Sequence, residues 1–325
     1  MDINRAIKWA IFGVCLLGIS GCTSIAVWMA PEKTPQRIYT KETKQLNQDF
    51  WDALHGGQYN QIDQLLERHK AAYLANPTDA YITSHIGFLH IWSLVERNRL
   101  KSYGASMTDH ATLCRKFFAE AYKLSPDDAR LLGFQAACTL AEADIHQNEA
   151  GKRQGYFMMH EAVDDWPEFN SFTAAYVLGG QPHNTDLFKE AVDLMWNNLD
   201  VCSHEDVDRK NPETVKLIPK TKTKGPKRAC WNTKIAPHNF EGFFLAFGDL
   251  VVKQGKPKLA QKVYNLAKKT KDYDRWPYKH ILEQRINNAQ QNVTHFRREV
   301  ANGRQPNHPV MMFHTEYACM ACHQK

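Results

Sequence analysis

The sequence lacks the extreme compositions that would assign it to a special class of protein. Glycine (17 residues) and proline (14) are at ordinary levels for 325 residues, which excludes collagen-like and low-complexity chains. The mean hydropathy of −0.53 excludes a protein with many membrane spans, although one anchor at an end of the chain remains compatible with it. The formal net charge of +6 is too small to indicate a nucleic-acid partner.

Signatures of common enzymes are also absent from the sequence. It contains no P-loop, no glycine-rich dinucleotide fingerprint, no serine nucleophile elbow and no metalloprotease helix motif. Strands are not predicted either, because no segment sustains a period-two alternation of apolar residues. We therefore expect an all-α protein that is more plausibly a carrier or scaffold than an enzyme.

The chain begins with basic residues that precede a long uncharged run. Arg5 and Lys8 come before the uncharged segment 9–30. A positive start followed by an apolar stretch is typical of a secretion signal. Because about 20 apolar residues span a bilayer, segment 9–30 is also long enough for an uncleaved transmembrane anchor. Both interpretations place the rest of the chain outside the cytoplasm, with 31–45 as a linker.

Ile19-Ser20-Gly21-Cys22, inside this run, resembles the lipobox of bacterial lipoproteins. The resemblance implies that 1–21 is a cleaved signal peptide and that Cys22 carries the lipid, whose buried methylenes each contribute about 0.8 kcal/mol to anchoring. Residues 25–30 depart from that family, since they stay apolar where a polar tether is usual. The lipoprotein is favoured over the transmembrane anchor, and either implies a membrane-anchored protein of the bacterial envelope that faces the periplasm.

The body of the chain has the apolar spacing of paired helices, most clearly over 241–272. Its two helical stripes, separated by a break at Gly255, consist of Phe244, Phe247, Gly248 and Val251, then Ala260, Tyr264 and Ala267. This pattern resembles the tetratricopeptide repeat (TPR), in which small residues let two antiparallel helices approach closely. Asp272 departs from it by standing where the family has proline.

Looser units of the same kind extend over 46–200. The resemblance implies a TPR-like solenoid of antiparallel helix pairs over 46–200 and 237–302, with a surface for a redox or envelope protein partner. Segment 276–302 is predicted to be one terminal helix that ends at Gly303. Segment 201–236, rich in lysine, arginine and proline, is predicted to be a basic inserted loop, mostly solvated.

Four cysteines in the body form two candidate disulfides. Cys114 and Cys138 lie on successive predicted helices at similar distances from the intervening turn, so a bond is plausible, with buried free thiols as an equal alternative. Cys202 and Cys230 flank the basic loop, and a bond between them would close that loop in an oxidising compartment.

Cys319-Met320-Ala321-Cys322-His323, near the end of the sequence, is the c-type haem attachment motif. The resemblance to c-type cytochromes implies one covalent haem, held by thioethers to Cys319 and Cys322, with His323 as the proximal iron ligand. Composition alone predicts about 0.009 such matches in a chain of this kind. A thioredoxin-like redox pair, a terminal disulfide, and a zinc site completed by His308 and His314 are the alternatives.

Only two residues follow His323, so the haem-bearing tail 303–325 is expected to rely on the helical body or a partner to cover the haem. A sixth iron ligand must then come from upstream. His314 is the nearest candidate, with His308, Met311, Met312 and the body residue His238 as further ones. Two histidine ligands favour a low reduction potential and a methionine ligand a higher one.

The sequence thus predicts a membrane-anchored periplasmic TPR-like protein that carries one haem c and transfers single electrons with a docked protein partner. A scaffold or assembly factor of an envelope complex, with the haem structural or absent, is the alternative. A haem peroxidase-like enzyme is the third hypothesis.

Overall fold

A computed structural model describes residues 25, 29–31, 33–37, 40–99, 106–217, 224–230, 236–298 and 308–324. Within these ranges the protein has 13 α-helices and no strand, which confirms the predicted all-α fold class. Cys22 and nearly all of segment 9–30 lie outside them. No helix within the described ranges is long and apolar enough to cross a membrane.

The chain divides into two compact units, Met1–Pro35 and Gln36–Lys325. The second unit contains all 13 helices. They are α1 Lys41–His55, α2 Ile62–Ala75, α3 Ala80–Val95, α4 Ser106–Leu124, α5 Ala129–Ile145, α6 Glu149–Asp165, α7 Pro167–Leu178, α8 Asp186–Ser203, α9 Phe240–Gln254, α10 Pro257–Ala267, α11 Lys279–Asn287, α12 Ala289–Arg298 and α13 Met320–His323.

Each helix from α1 to α11 packs against the next one in sequence. Some of these neighbours are joined by short connections, as between α4 and α5 and between α9 and α10. Side chains that accept hydrogen bonds from first-turn amides mark where many of the helices begin, which are Asp79 for α3, Asp128 for α5, Asn148 for α6, Thr185 for α8 and Asn239 for α9. Local capping therefore fixes where these five helices begin.

The pair α9 and α10 forms the centre of the largest apolar cluster. Nearly every residue of α9 is buried, including the charged Glu241, Asp249 and Lys253, and most of the others are apolar, as expected for a helix in the core. A Cβ atom at Gly248 would lie 2.1 Å from Cε1 of Tyr264, so only glycine allows α10 to pack this closely. Gly255 ends α9 with a φ of 94°, in the region that favours glycine.

Two predicted boundaries differ from the observed ones. The segment 31–45, expected to be a linker, contains the start of α1, because Thr40 and Thr43 form a reciprocal capping box that begins the helix at Lys41. Segment 276–302, expected to be one terminal helix, contains both α11 and α12, which are separated at Asn288. Gly303 lies outside the described residues.

The described part of segment 201–236 is more structured than the predicted solvated loop. Val207 and Val215 are buried in the largest apolar cluster. Asp200, at the end of α8, forms an ion pair with Arg209. Because apolar side chains anchor it, residues 204–217 pack onto the helical body instead of extending into solvent.

The structure contains both disulfides considered from the sequence. Cys114 on α4 is bonded to Cys138 on α5, with 5.7 Å between their Cα atoms. Cys202 at the end of α8 is bonded to Cys230, with 5.8 Å between theirs. Each separation lies in the normal range for a disulfide, so neither bond requires a shift of the backbone.

Candidate functional site

The segment 308–324 is packed into the helical body. Met311 and Met312 are fully buried, and Phe313 lies against Tyr176 with ring centres 4.1 Å apart. The amide of Met312 donates to the Asp249 carboxylate on α9, at 2.7 Å. The attachment motif is therefore held by the core and is not part of a projecting tail.

The motif itself forms the single turn α13, Met320–His323. Residues three apart on a helix lie on one face, so Cys319 and Cys322 are side by side, and neither forms a disulfide. The carbonyl of Cys322 accepts a hydrogen bond from the Asn239 amide at 2.7 Å. A Cβ atom at Gly242 would lie 2.7 Å from the sulfur of Cys322, so the start of α9 is in direct contact with the motif.

A buried acidic residue accepts a hydrogen bond from a backbone amide at the amino end of α13. Glu96, which follows α3, is fully buried and accepts a hydrogen bond from the amide of Met320 at 3.2 Å. Arg99 forms an ion pair with Glu96 and also approaches the Met320 sulfur at 3.4 Å. Burial raises the pKa of Glu96, and the adjacent Arg99 opposes that rise. A carboxylate near a helix amino terminus is stabilising, so Glu96 fixes α13 in place.

The two free thiols are protonated at neutral pH. Burial raises the pKa of Cys319 well above its ordinary value and that of Cys322 to about 12. Thioredoxin-like redox pairs have a lowered thiol pKa because the thiolate is the reactive form. The environment of these cysteines is therefore unlike that of such a pair.

His323 is held in a defined tautomer by a backbone carbonyl. Its Nδ1 lies 3.1 Å from the carbonyl oxygen of Pro237. Because the carbonyl can only accept, Nδ1 is the donor and Nε2 keeps its lone pair. Burial, followed by the neighbouring His238 and His55, lowers the pKa of His323 to about 3. A neutral imidazole with Nδ1 bonded to a carbonyl is the arrangement of a metal-ligating histidine.

Two further histidine rings flank His323, although they are distant in sequence. His55, the last residue of α1, has its ring centre 6.3 Å away with the planes inclined by 28°. His238, just before α9, is also 6.3 Å away, with the planes inclined by 79°. Burial lowers the pKa of His238 to about 4.

The structure gives separate contacts for the other residues that the sequence offers as a sixth iron ligand. His314 ends the 3₁₀ turn Met312–His314, and its carbonyl accepts a hydrogen bond from the Asn98 side chain. His308 lies beside His295, with ring centres 4.7 Å apart. Met311 and Met312 are buried in the core.

Metal-ion binding by side chains alone finds no support in the part of the chain that the structure describes. No group of three or more histidine, cysteine, aspartate or glutamate residues there could hold a metal ion. The zinc alternative with His308 and His314 is therefore unsupported within those residues. Haem iron imposes a smaller demand on the protein, because the porphyrin supplies four nitrogens and one or two axial side chains complete the coordination.

An unsatisfied hydroxyl lies close to the motif. The Tyr176 hydroxyl is buried and forms no hydrogen bond within the described structure. Burial, and then the proximity of Cys319 and Cys322, raises its pKa well above the ordinary value. A buried hydrogen-bond donor without an acceptor destabilises the folded state. A bound group with polar atoms would supply the missing acceptor. Together with the free thiols and the orientation of His323, this hydroxyl fits a haem.

Comparisons of the chain with protein families, with curated proteins and with solved structures found no match. The assignment of the site therefore depends on its geometry alone. Sequence reasoning missed its supporting residues, which are His55, Glu96, Arg99, Tyr176, Pro237, Asn239 and Trp276. The last of these donates from its indole to the carbonyl of Ala321 at 2.9 Å. No local pattern marks these supporting residues, because they come from five separate segments that only the tertiary fold brings together.

Proposed function

We propose that the protein carries one covalent haem c on Cys319 and Cys322 and serves one-electron transfer at the bacterial cell envelope. The observation that carries the proposal is the placement of His323 by Pro237, beside two unpaired thiols on one helical turn. The bound iron would accept and release one electron by cycling between its ferric and ferrous states.

The residues around the motif have separate roles in this function. Cys319 and Cys322 would hold the porphyrin through thioethers. His323 would bind the iron through Nε2, because its Nδ1 hydrogen bond to Pro237 fixes the ring. Glu96 holds the first turn of α13, and the core excludes water from the face of the motif that contacts α9. A rigid, dry surrounding keeps reorganisation small when the iron changes charge.

The helical body would be a TPR-like array with a surface for a redox or envelope protein partner. The pair α9 and α10 supports this, because Gly248 packs against Tyr264 where the repeat pattern needs a small residue. The two disulfides support a compartment outside the cytoplasm. The lipobox at Cys22 would hold the protein at the periplasmic side of a membrane.

The pyridine haemochrome spectrum tests this function. The full chain is made with cytochrome c maturation, beside a Cys319→Ala, Cys322→Ala variant. We expect a c-type spectrum with one haem per chain and its loss in the variant. The matched control is Cys202→Ala, Cys230→Ala, which should keep the haem. A wild-type protein without haem, matured in the same cells as a known cytochrome, would refute the proposal.

A further inference from the structure

We infer that His55 is the second axial ligand, so that the haem iron would have His323 on one side and His55 on the other. The inference rests on the proposed function, because it assigns a residue to that same haem. It differs from what the sequence favours, since His314 is the nearest upstream histidine.

The separation of the two rings fits a shared iron. Each metal–nitrogen bond is about 2 Å and each ring nitrogen lies about 1 Å from its ring centre, so two imidazoles on opposite sides of one ion have centres about 6 Å apart. The ring centres of His55 and His323 are 6.3 Å apart. The distance between the two ring centres is therefore the one that a shared iron would require.

His238 is at the same distance, but its surroundings differ. Its chain neighbour Pro237 occupies the Nδ1 edge of His323, whereas an iron must bind at Nε2. The His238 ring is also 8% exposed and packs against Phe172, with ring centres 5.2 Å apart and planes inclined by 23°. Because the His238 ring packs against Phe172 in this way, we assign it a packing role behind the proximal ligand.

The end of α1 is built to hold His55 near the motif. The ring of Trp51, one helical turn earlier, lies 5.7 Å from the His55 ring. After the helix ends, Gly57 passes so close to α13 that a Cβ atom there would lie 2.5 Å from the sulfur of Met320. Cys319 packs against the apolar cluster that contains Phe50 of the same helix. Two contacts therefore hold the end of α1 against the attachment turn, and Trp51 packs on the His55 ring within α1.

Spin state tests the assignment directly. The ferric wild-type holoprotein is expected to be six-coordinate and low-spin in its absorption and electron paramagnetic resonance spectra. His55→Ala should convert it to a high-spin form, and added imidazole should restore the low-spin signal. His238→Gln and His314→Ala are the matched controls and should remain low-spin. His55→Met should stay loaded and have a higher reduction potential than the wild type, because methionine ligation raises it.

The outcomes separate the two proposals. A low-spin signal that survives in His55→Ala, or a loss confined to His238→Gln or His314→Ala, would overturn the assignment of His55 and leave the haem in place. A high-spin wild type would also overturn it. A wild type with no covalent haem would refute the proposed function and the ligand assignment together.

Discussion

Asp249 joins the central helix pair to the segment that carries the attachment motif. One carboxylate oxygen accepts a hydrogen bond from the Tyr264 hydroxyl at 2.6 Å, and the other accepts from the Met312 amide at 2.7 Å. Arg285 on α11 forms an ion pair with it at 3.1 Å. Arg285 in turn donates to the carbonyl of Val310. Asp249→Asn therefore perturbs the anchoring of 308–314 without changing the size of the side chain.

The expected cost follows from the burial of this pair. The side chains of Asp249 and Arg285 are 0% and 8% exposed. Removing one partner of a buried ion pair costs about 3–5 kcal/mol, because the remaining charge is left in the interior. The Val310 carbonyl and the Phe296 ring, 5.0 Å from the guanidinium, compensate part of this cost. We therefore expect Asp249→Asn to lower the free energy of unfolding by about 3 kcal/mol.

Urea unfolding and amide hydrogen exchange measure this effect. The Met312 amide should exchange faster in Asp249→Asn than in the wild type. Asp272→Asn is the matched control, because its ion pair with Arg275 is exposed and should contribute less than about 1 kcal/mol. An unfolding free energy within about 1 kcal/mol of the wild type, together with unchanged exchange at Met312, would refute the reasoning.

Three further predictions concern the body of the protein. Cys202→Ala with Cys230→Ala should lower the free energy of unfolding by about 3.5 kcal/mol, because the bond constrains a long loop of the unfolded chain, and urea titration measures it. Gly248→Ala should cost about 1–3 kcal/mol by overpacking, since its Cβ atom would lie 2.1 Å from a tyrosine ring, and thermal unfolding measures the change. Burial lowers the pKa of His69 to about 4, so the unfolded chain binds a proton there at a higher pH than the folded chain. Stability should fall by about 1.4 kcal/mol per pH unit for this group as the pH drops from about 6.5 to about 4, and His69→Gln should reduce that slope.

Two of these predictions have a matched control variant. Gly180→Ala should be nearly neutral, because the nearest heavy atom to its added Cβ is 3.8 Å away, and an equal loss at Gly180 and Gly248 would contradict the packing argument. His280→Gln changes an exposed residue and should leave the pH slope intact. Equal unfolding free energies for the oxidised wild type and the variant lacking Cys202 and Cys230 would contradict the predicted disulfide effect.

Local patterns in the sequence predict local structure in this protein. The stripes around Gly248 and Tyr264 predict a helix pair, because residues at helical spacing share a face. The turn at Gly255 follows from its conformational freedom. The start of α1 at Lys41 was missed, because the capping box of Thr40 and Thr43 uses two threonines instead of the usual acidic partner.

Local sequence likewise predicts one part of the candidate site and fails to predict the other. The sequence proposes Cys319, Cys322 and His323 as haem-binding residues because covalent haem attachment requires a fixed local spacing. Glu96 contacts the motif across 224 residues of sequence, and His55 reaches it from the end of another helix. Their positions depend on the packing of the helical body, which spacing alone does not encode.

The central claim is that a haem is covalently bound to the attachment motif, and peptide mass spectrometry tests it most directly. The matured protein is digested with trypsin, and the fragment that contains Cys319 and Cys322 is isolated and fragmented. This peptide is expected to carry one haem mass, with both cysteines protected from alkylation. The same peptide recovered without haem, with both thiols alkylated, would contradict it.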